Sequence, residues 1–203
     1  MMSALTHPAL TFSAGALLTV VVIALLAVSC TPPNPTAEIV NTYRKEMARA
    51  GTGGPAPGTA AERDAIARFS AFLQGIGCEE FIRENTEKSY TEDAFLNDTL
   101  VTHRGNAEIE AYFIQTSQAM THFEVSIDDV ARSGPDHYVR WTMIFAAPAL
   151  AKGGKIHSTG ISQVRFAADG RVAFHQDFWD SGENFFGRAP VAGGIIGIIR
   201  KRL

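Results

Sequence analysis

Two hydrophobic rhythms divide the chain. Ile66, Phe69 and Leu73, with Ala65, Phe72 and Ile76, recur at helical spacing and predict a helix over Glu62–Gly75, which Gly75 and Gly77 end. Cys78–Tyr90 predicts a second helix with Phe81, Ile82 and Tyr90 inward. Thr91–Thr102 predicts a turn and a short strand carrying Asp98. Gly105-Asn106 opens a third helix, with Asn106 as its cap, Glu108 and Glu110 suited to its first turn, and Ile109, Tyr112, Phe113 and Met120 as its buried stripe. The period then changes to two. Phe123, Val125 and Ile127 alternate with Glu124, Ser126 and Asp128, and after a Gly134-Pro135-Asp136 turn Val139, Trp141, Met143 and Phe145 alternate with Tyr138, Arg140, Thr142 and Ile144. Lys155–Phe166 and Arg171–Asp180 complete a meander. Helices followed by an antiparallel sheet define an α+β class with the helices on one sheet face.

Asp169-Gly170 between two alternating runs is a strong hairpin signal. A two-residue loop pairs Ala168 with Arg171 and sets Phe166 opposite Ala173, Val164 opposite His175, Ser162 opposite Asp177 and Gly160 opposite Trp179. The eight residues of the last four pairs then share one sheet face. Arg165, Gln163, Thr159, Phe174, Gln176, Phe178 and Asp180 share the other, a mixed surface suited to a partner subunit. A three-residue loop would shift this register.

The first 60 or so residues differ in kind. Pro8–Ser29 holds no charged residue and Ala16–Val28 is almost purely aliphatic. It reads as a signal peptide or membrane anchor, residues 1–30, rather than as fold. LLAVSC resembles a bacterial lipoprotein signal, which would make Cys30 a lipid attachment site. An uncleaved single-pass anchor and a misplaced start codon are the alternatives. Residues 31–61 are rich in proline and glycine and read as a tether with a short helix within Glu38–Ala50. The remaining ~140 residues, 62–203, suffice for one domain with a real core. A net charge of −3 and the lack of a basic stripe beside Trp141 and Trp179 argue against nucleic acid. The two cysteines lie in unlike contexts, which disfavours a disulfide, and Cys78 reads as a small buried residue. The histidines show no metal-ligand spacing, so no metal site is expected.

Candidate chemistry centres on the end of the last long strand. Asp177 and His175 share the inward face with apolar walls that include Val164 and Trp179, the usual make-up of a ligand cavity. A carboxylate in an apolar pocket is a competent base or acid near neutral pH. A buried Asp–His pair joined by Ser162 that only satisfies itself is the alternative. Asp98 is either a second cavity acid or a turn residue bonded to its own backbone. Trp141, Ser162, Phe69 and Tyr90 complete the expected cavity lining. At the C-terminus, Ile195, Ile196, Ile198 and Ile199 precede Arg200-Lys201-Arg202. This tail either packs back on the domain or touches a membrane with its basic end on anionic lipid.

ARFSAFL (67–73), YTEDAFLND (90–98), RGNAEIEAYF (104–113), VRFAADGRVAFHQDFWD (164–180) and APVAGGIIGIIRKRL (189–203) together resemble the nuclear transport factor 2-like fold. Within it the chain is similar to the SnoaL-like group, which includes polyketide cyclases and relatives of ketosteroid isomerase. The resemblance implies a cone of three N-terminal helices packed on a curved antiparallel sheet. It implies a hydrophobic small molecule as ligand, a homodimer, and chemistry without a cofactor. The isomerase likeness puts the general base at Asp98, with Thr99 in place of the usual proline. It puts Phe69 and Ser162 where its two oxyanion donors stand, so both donors are missing. The cyclase likeness points instead to Asp177, with His175 two residues before it. The fold also serves non-catalytic ligand binders and interaction modules, so an isomerase or cyclase and a tethered binding module both remain as readings.

Overall fold

The computed structural model describes residues 35–150, 154–189 and 192–202. The chain divides into two compact units, residues 1–43 and 44–203. Of the first, only the start of helix α1 (Pro35–Arg49) is described. The apolar run and Cys30 lie outside the described residues. Among those described, no helix is long and apolar enough to cross a membrane.

The second unit contains α2 (Ala60–Gly75), α3 (Glu79–Ser89), β1 (Tyr90–Asn97), β2 (Thr102–Arg104) and α4 (Asn106–Ala119). Strands β3 (His122–Ser133), β4 (Asp136–Ala146), β5 (Ile156–Phe166) and β6 (Val172–Trp179) follow. The short α5 (Ser181–Asn184), a 3-10 turn at Phe186–Arg188 and α6 (Ala192–Arg200) end the fold. The three expected helices form where the periodicity placed them. Helix α2 starts on a reciprocal cap: Thr59 Oγ1 accepts the Glu62 N–H at 3.2 Å, and Glu62 Oε2 accepts the Gly58 N–H at 2.6 Å. Its Phe69 and Phe72 join Ile82 of α3, Ile109 and Phe113 of α4, and Val139, Val164 and Val172 of the sheet in one core. At α4 the cap is Gly105 rather than Asn106. Gly105 has φ 80°, and a Cβ there would lie 2.9 Å from Glu92 O.

The six strands run in the order β2-β1-β6-β5-β4-β3. The pairs are antiparallel except β1 with β6, which is parallel. Local patterning cannot supply that pair, because its partners Leu96 and His175 are far apart in the sequence. The strand before Asp98 is also longer than expected, and the turn follows it rather than preceding it.

The hairpin reaches the anticipated register by another route. Gly170 (φ 77°) donates to Ala167 O at 2.9 Å, and Ala167 donates to Arg171 O at 2.7 Å, so three residues form the loop. This shifts Phe166 opposite Val172 rather than Ala173. A bulge that leaves Ala173 unpaired then restores the frame, and Val164–His175, Ser162–Asp177 and Gly160–Trp179 pair as derived.

The linker expected over residues 31–61 is not a free tether beyond Arg44. Glu46 is buried and ion-paired with Arg49 at 2.7 Å and Arg104 at 2.8 Å. The Arg165 guanidinium donates to the carbonyls of Met47 (2.6 Å) and Gly51 (3.2 Å). Residues 44–61 are thus held by buried charge, which composition does not reveal, and they cover part of the outer sheet face. Ile161 and Phe178 on that face stay exposed. Cys78 is exposed rather than buried, because it precedes the first residue of α3 with its Sγ 3.4 Å from a Glu80 oxygen.

Candidate functional site

A cavity of about 700 Å³ opens between the sheet and α2 and α4. Leu73, Ile76, Phe113, Val125 and Met143 supply apolar wall, and Trp141, Ser162, His175, Asp177, Trp179 and Asp98 all line it. The alternation of β5 and β6 and the tie between them bring the polar group together. Asp177 Oδ1 accepts the Ser162 hydroxyl at 2.5 Å and lies 2.8 Å from His175 Nε2. Ser162 Oγ in turn accepts the Trp141 indole N–H at 3.0 Å. His175 Nδ1 lies 2.9 Å from the Tyr90 hydroxyl.

The tautomer follows from Tyr90. Burial, reinforced by the Asp177 charge, pushes the Tyr90 phenol well above its ordinary value, so it stays protonated. Its O–H then donates to Nδ1, which leaves the imidazole proton on Nε2, aimed at Asp177. Two donors therefore converge on Oδ1. Among the described residues none donates to Oδ2, and the Asp177 side chain keeps 17% exposure against 1% for His175. One carboxylate oxygen is anchored and the other remains available to a ligand.

A second polar group forms beside it, where β1 ends next to β6. Asp98 opens the turn after β1. Its Oδ1 accepts the N–H groups of Leu100 and Val101, each at 2.8 Å, and its Oδ2 accepts the Tyr112 hydroxyl. It is buried, and it lines the cavity. Burial and the adjacent Asp98 charge raise the Tyr112 phenol above its ordinary value and hold it as a donor. His103 stacks on Tyr112 at 4.6 Å between ring centroids, and its Nε2 is buried without a partner. The Trp179 indole donates to Asp98 O at 2.7 Å. Thr99, next in the turn, has φ 78°. Proline cannot adopt that angle, which accounts for the departure from the isomerase pattern.

Three expected lining residues are displaced. Phe69, Tyr90 and Val164 are 1%, 0% and 0% exposed and stand behind the cavity wall in the core. Tyr90 and Phe69 act on the site from there, Tyr90 by its hydrogen bond and Phe69 by packing edge-on against His175 at 5.0 Å. Inward-facing strand positions were legible, but depth was not, since a strand face continues under the helices. Asp180, fourth of the terminal cluster, caps α5 by accepting the Glu183 N–H at 2.8 Å and plays no part in the cavity. Tyr112 and His103 were missed. A tyrosine in the apolar stripe of the helix after Asp98 was the available signal for the first. Among the described residues no group of three His, Cys, Asp or Glu side chains is placed to hold a metal ion.

Comparison with known proteins agrees with this architecture. Residues 83–175 match the SnoaL-like domain family. An LEH-like epoxide hydrolase from Mycobacterium tuberculosis superposes with a TM-score of 0.50 at 17% identity, covering 71% of this chain and 99% of that one. A hypothetical protein of ketosteroid isomerase-like fold from Catenulispora acidiphila, solved with trimethylamine, superposes with a TM-score of 0.51 at 12% identity, covering 62% and 92%. No curated protein matches the chain. Residues 83–175 are thus similar to the SnoaL-like domain family, and the fold is nuclear transport factor 2-like.

Proposed function

We propose that the cavity takes a hydrophobic small molecule and that Asp177 acts on it as a general base and then acid, in cofactor-independent isomerase or cyclase-type chemistry. The observation that carries this reading is the asymmetric carboxylate of a cavity-lining residue: Oδ1 of Asp177 is held by Ser162 and His175, while none of the described residues donates to Oδ2. A proton leaves a carbon or hydroxyl of the ligand for Oδ2 and returns to another atom of the same ligand, so its composition is unchanged. His175 orients the carboxylate and, through Tyr90, keeps its own tautomer fixed. Tethering through the uncharged Pro8–Ser29 stretch belongs to the same proposal and rests on sequence alone.

Ligand binding without turnover is the second reading, and a specific observation favours it. The donors of Trp141, Ser162, Trp179 and Tyr112 are all spent within the protein, and Phe69 offers none. An oxyanion developing in the cavity would find none of these donors free.

The test follows deuterium uptake from D2O into a panel of apolar β,γ-unsaturated ketones, with native mass spectrometry of the full chain to detect retained ligand. If Asp177 is the base, Asp177→Asn retains ligand but exchanges about 10²- to 10⁴-fold more slowly, the usual worth of a positioned base. Equal exchange by the variant refutes the catalytic reading. Retained ligand with no exchange by the wild type establishes the binding one.

A further inference from the structure

Helix α6 was expected either to pack back on the domain or to meet a membrane. No residue of it is buried. Ile195, Ile198 and Ile199, spaced to share one face, are 56%, 58% and 53% exposed. The helix is nevertheless fixed in place. A Cβ at Gly193 would lie 2.4 Å from Gly187 O, so the two backbones are in direct contact. Arg200 at its far end pairs with Asp180 and Glu183. The isoleucine face is therefore held outward rather than frayed. A nine-residue helix is marginal in water on its own, and exposed aliphatic surface adds nothing to hold it there.

We propose that α6 docks this domain on an anionic lipid bilayer. The charge around it points to that occupant. Arg188, Arg200, Lys201 and Arg202 oppose only Asp180 and Glu183, a local excess of positive charge on a chain whose net charge is −3. Arg188 and Arg200 are engaged with the two acids, and exposed Lys201 and Arg202 follow directly on the isoleucine face. Aliphatic side chains enter the headgroup–acyl boundary while cations at the helix end reach phosphate. Phe186, 45% exposed, opens the 3-10 turn that packs on α6 through Gly187, and with Phe185 it also lines the cavity. Docking thus sets this edge of the cavity at the lipid. On the reading of the cavity above, its ligand is a molecule dissolved in the membrane.

Hydrogen–deuterium exchange of residues 192–202 in the full chain tests this, on vesicles of phosphatidylcholine alone and with phosphatidylglycerol added. The expected result is slowed exchange on the anionic vesicles only. At about fivefold per cation, the Lys201→Ser, Arg202→Ser double variant lowers that protection about 25-fold. Ile195→Ser, Ile198→Ser and Ile199→Ser together abolish it, with strands β5 and β6 as protected as before. Equal protection on both vesicles, or none on either, overturns the proposal. So does protection without lipid that grows with protein concentration, which would make a second copy the occupant. The measurement needs no turnover, so failure of the Asp177 chemistry would be read separately.

Discussion

Gly160→Ala is the sharpest probe of how the cavity floor is built. Gly160 lies in β5 between Trp141 of β4 and Trp179 of β6. A Cβ there would stand 2.4 Å from two carbons of the Trp141 ring and 3.0 Å from Phe178 O. The indole can yield only into the cavity that it lines, and doing so breaks the tie of its N–H to Ser162. Forcing one methyl into a packed site costs about 1–3 kcal/mol. Breaking the Trp141–Ser162 hydrogen bond adds about 1 kcal/mol. The expected loss of about 2–4 kcal/mol is a large part of a domain stability of about 5–15 kcal/mol. Urea unfolding followed by tryptophan emission and far-UV circular dichroism measures it, and the native emission shifts as Trp141 moves. Trp141→Phe shortens the clashing ring, so in that background the same substitution should cost at least about 1 kcal/mol less, a coupling a double-mutant cycle reads directly. An unchanged midpoint and emission in Gly160→Ala, or full additivity with Trp141→Phe, would refute the reasoning.

Two further outcomes follow from the same structure. Thr99 is β-branched at φ 78°, so Thr99→Gly should stabilise by about 1 kcal/mol and Thr99→Pro should destabilise, both read from thermal midpoints; a stabilising proline would show that the turn is not held as described. The hydrogen bond from Arg104 is the largest influence on Glu46 and holds its carboxyl below the ordinary value of 4.5, against burial that acts the other way. A depressed folded value means this contribution is complete above the unfolded value and fades as pH falls below it. Urea midpoints from neutral pH downward should therefore fall less steeply in Glu46→Gln than in the wild type, and identical acid limbs would count against the buried pair.

The sequence by itself determined the three helices, the strands after Phe123 and the face that Ser162, His175, Asp177 and Trp179 share. Those follow from periods of 3.6 and 2 and from one hairpin, all of them local. The hairpin also shows the limit of such reasoning. The loop has three residues, and the register survives because Ala173 bulges, an adjustment that belongs to the sheet and not to the turn. Tertiary structure alone decided the rest. The parallel β1–β6 pair carries Tyr90 under His175 and Asp98 to the cavity edge, across separations that no local pattern encodes. It decided that Phe69 and Val164 lie behind the wall, because depth depends on what packs above a face. It turned Glu46, within the expected tether, and Arg165, on the mixed sheet face, into the bonds that join residues 44–61 to the sheet. It also left one oxygen of Asp177 anchored and the other open. The strand pattern could put that carboxylate on the right face, but only the assembled sheet could supply Ser162 and His175 to hold a single side of it.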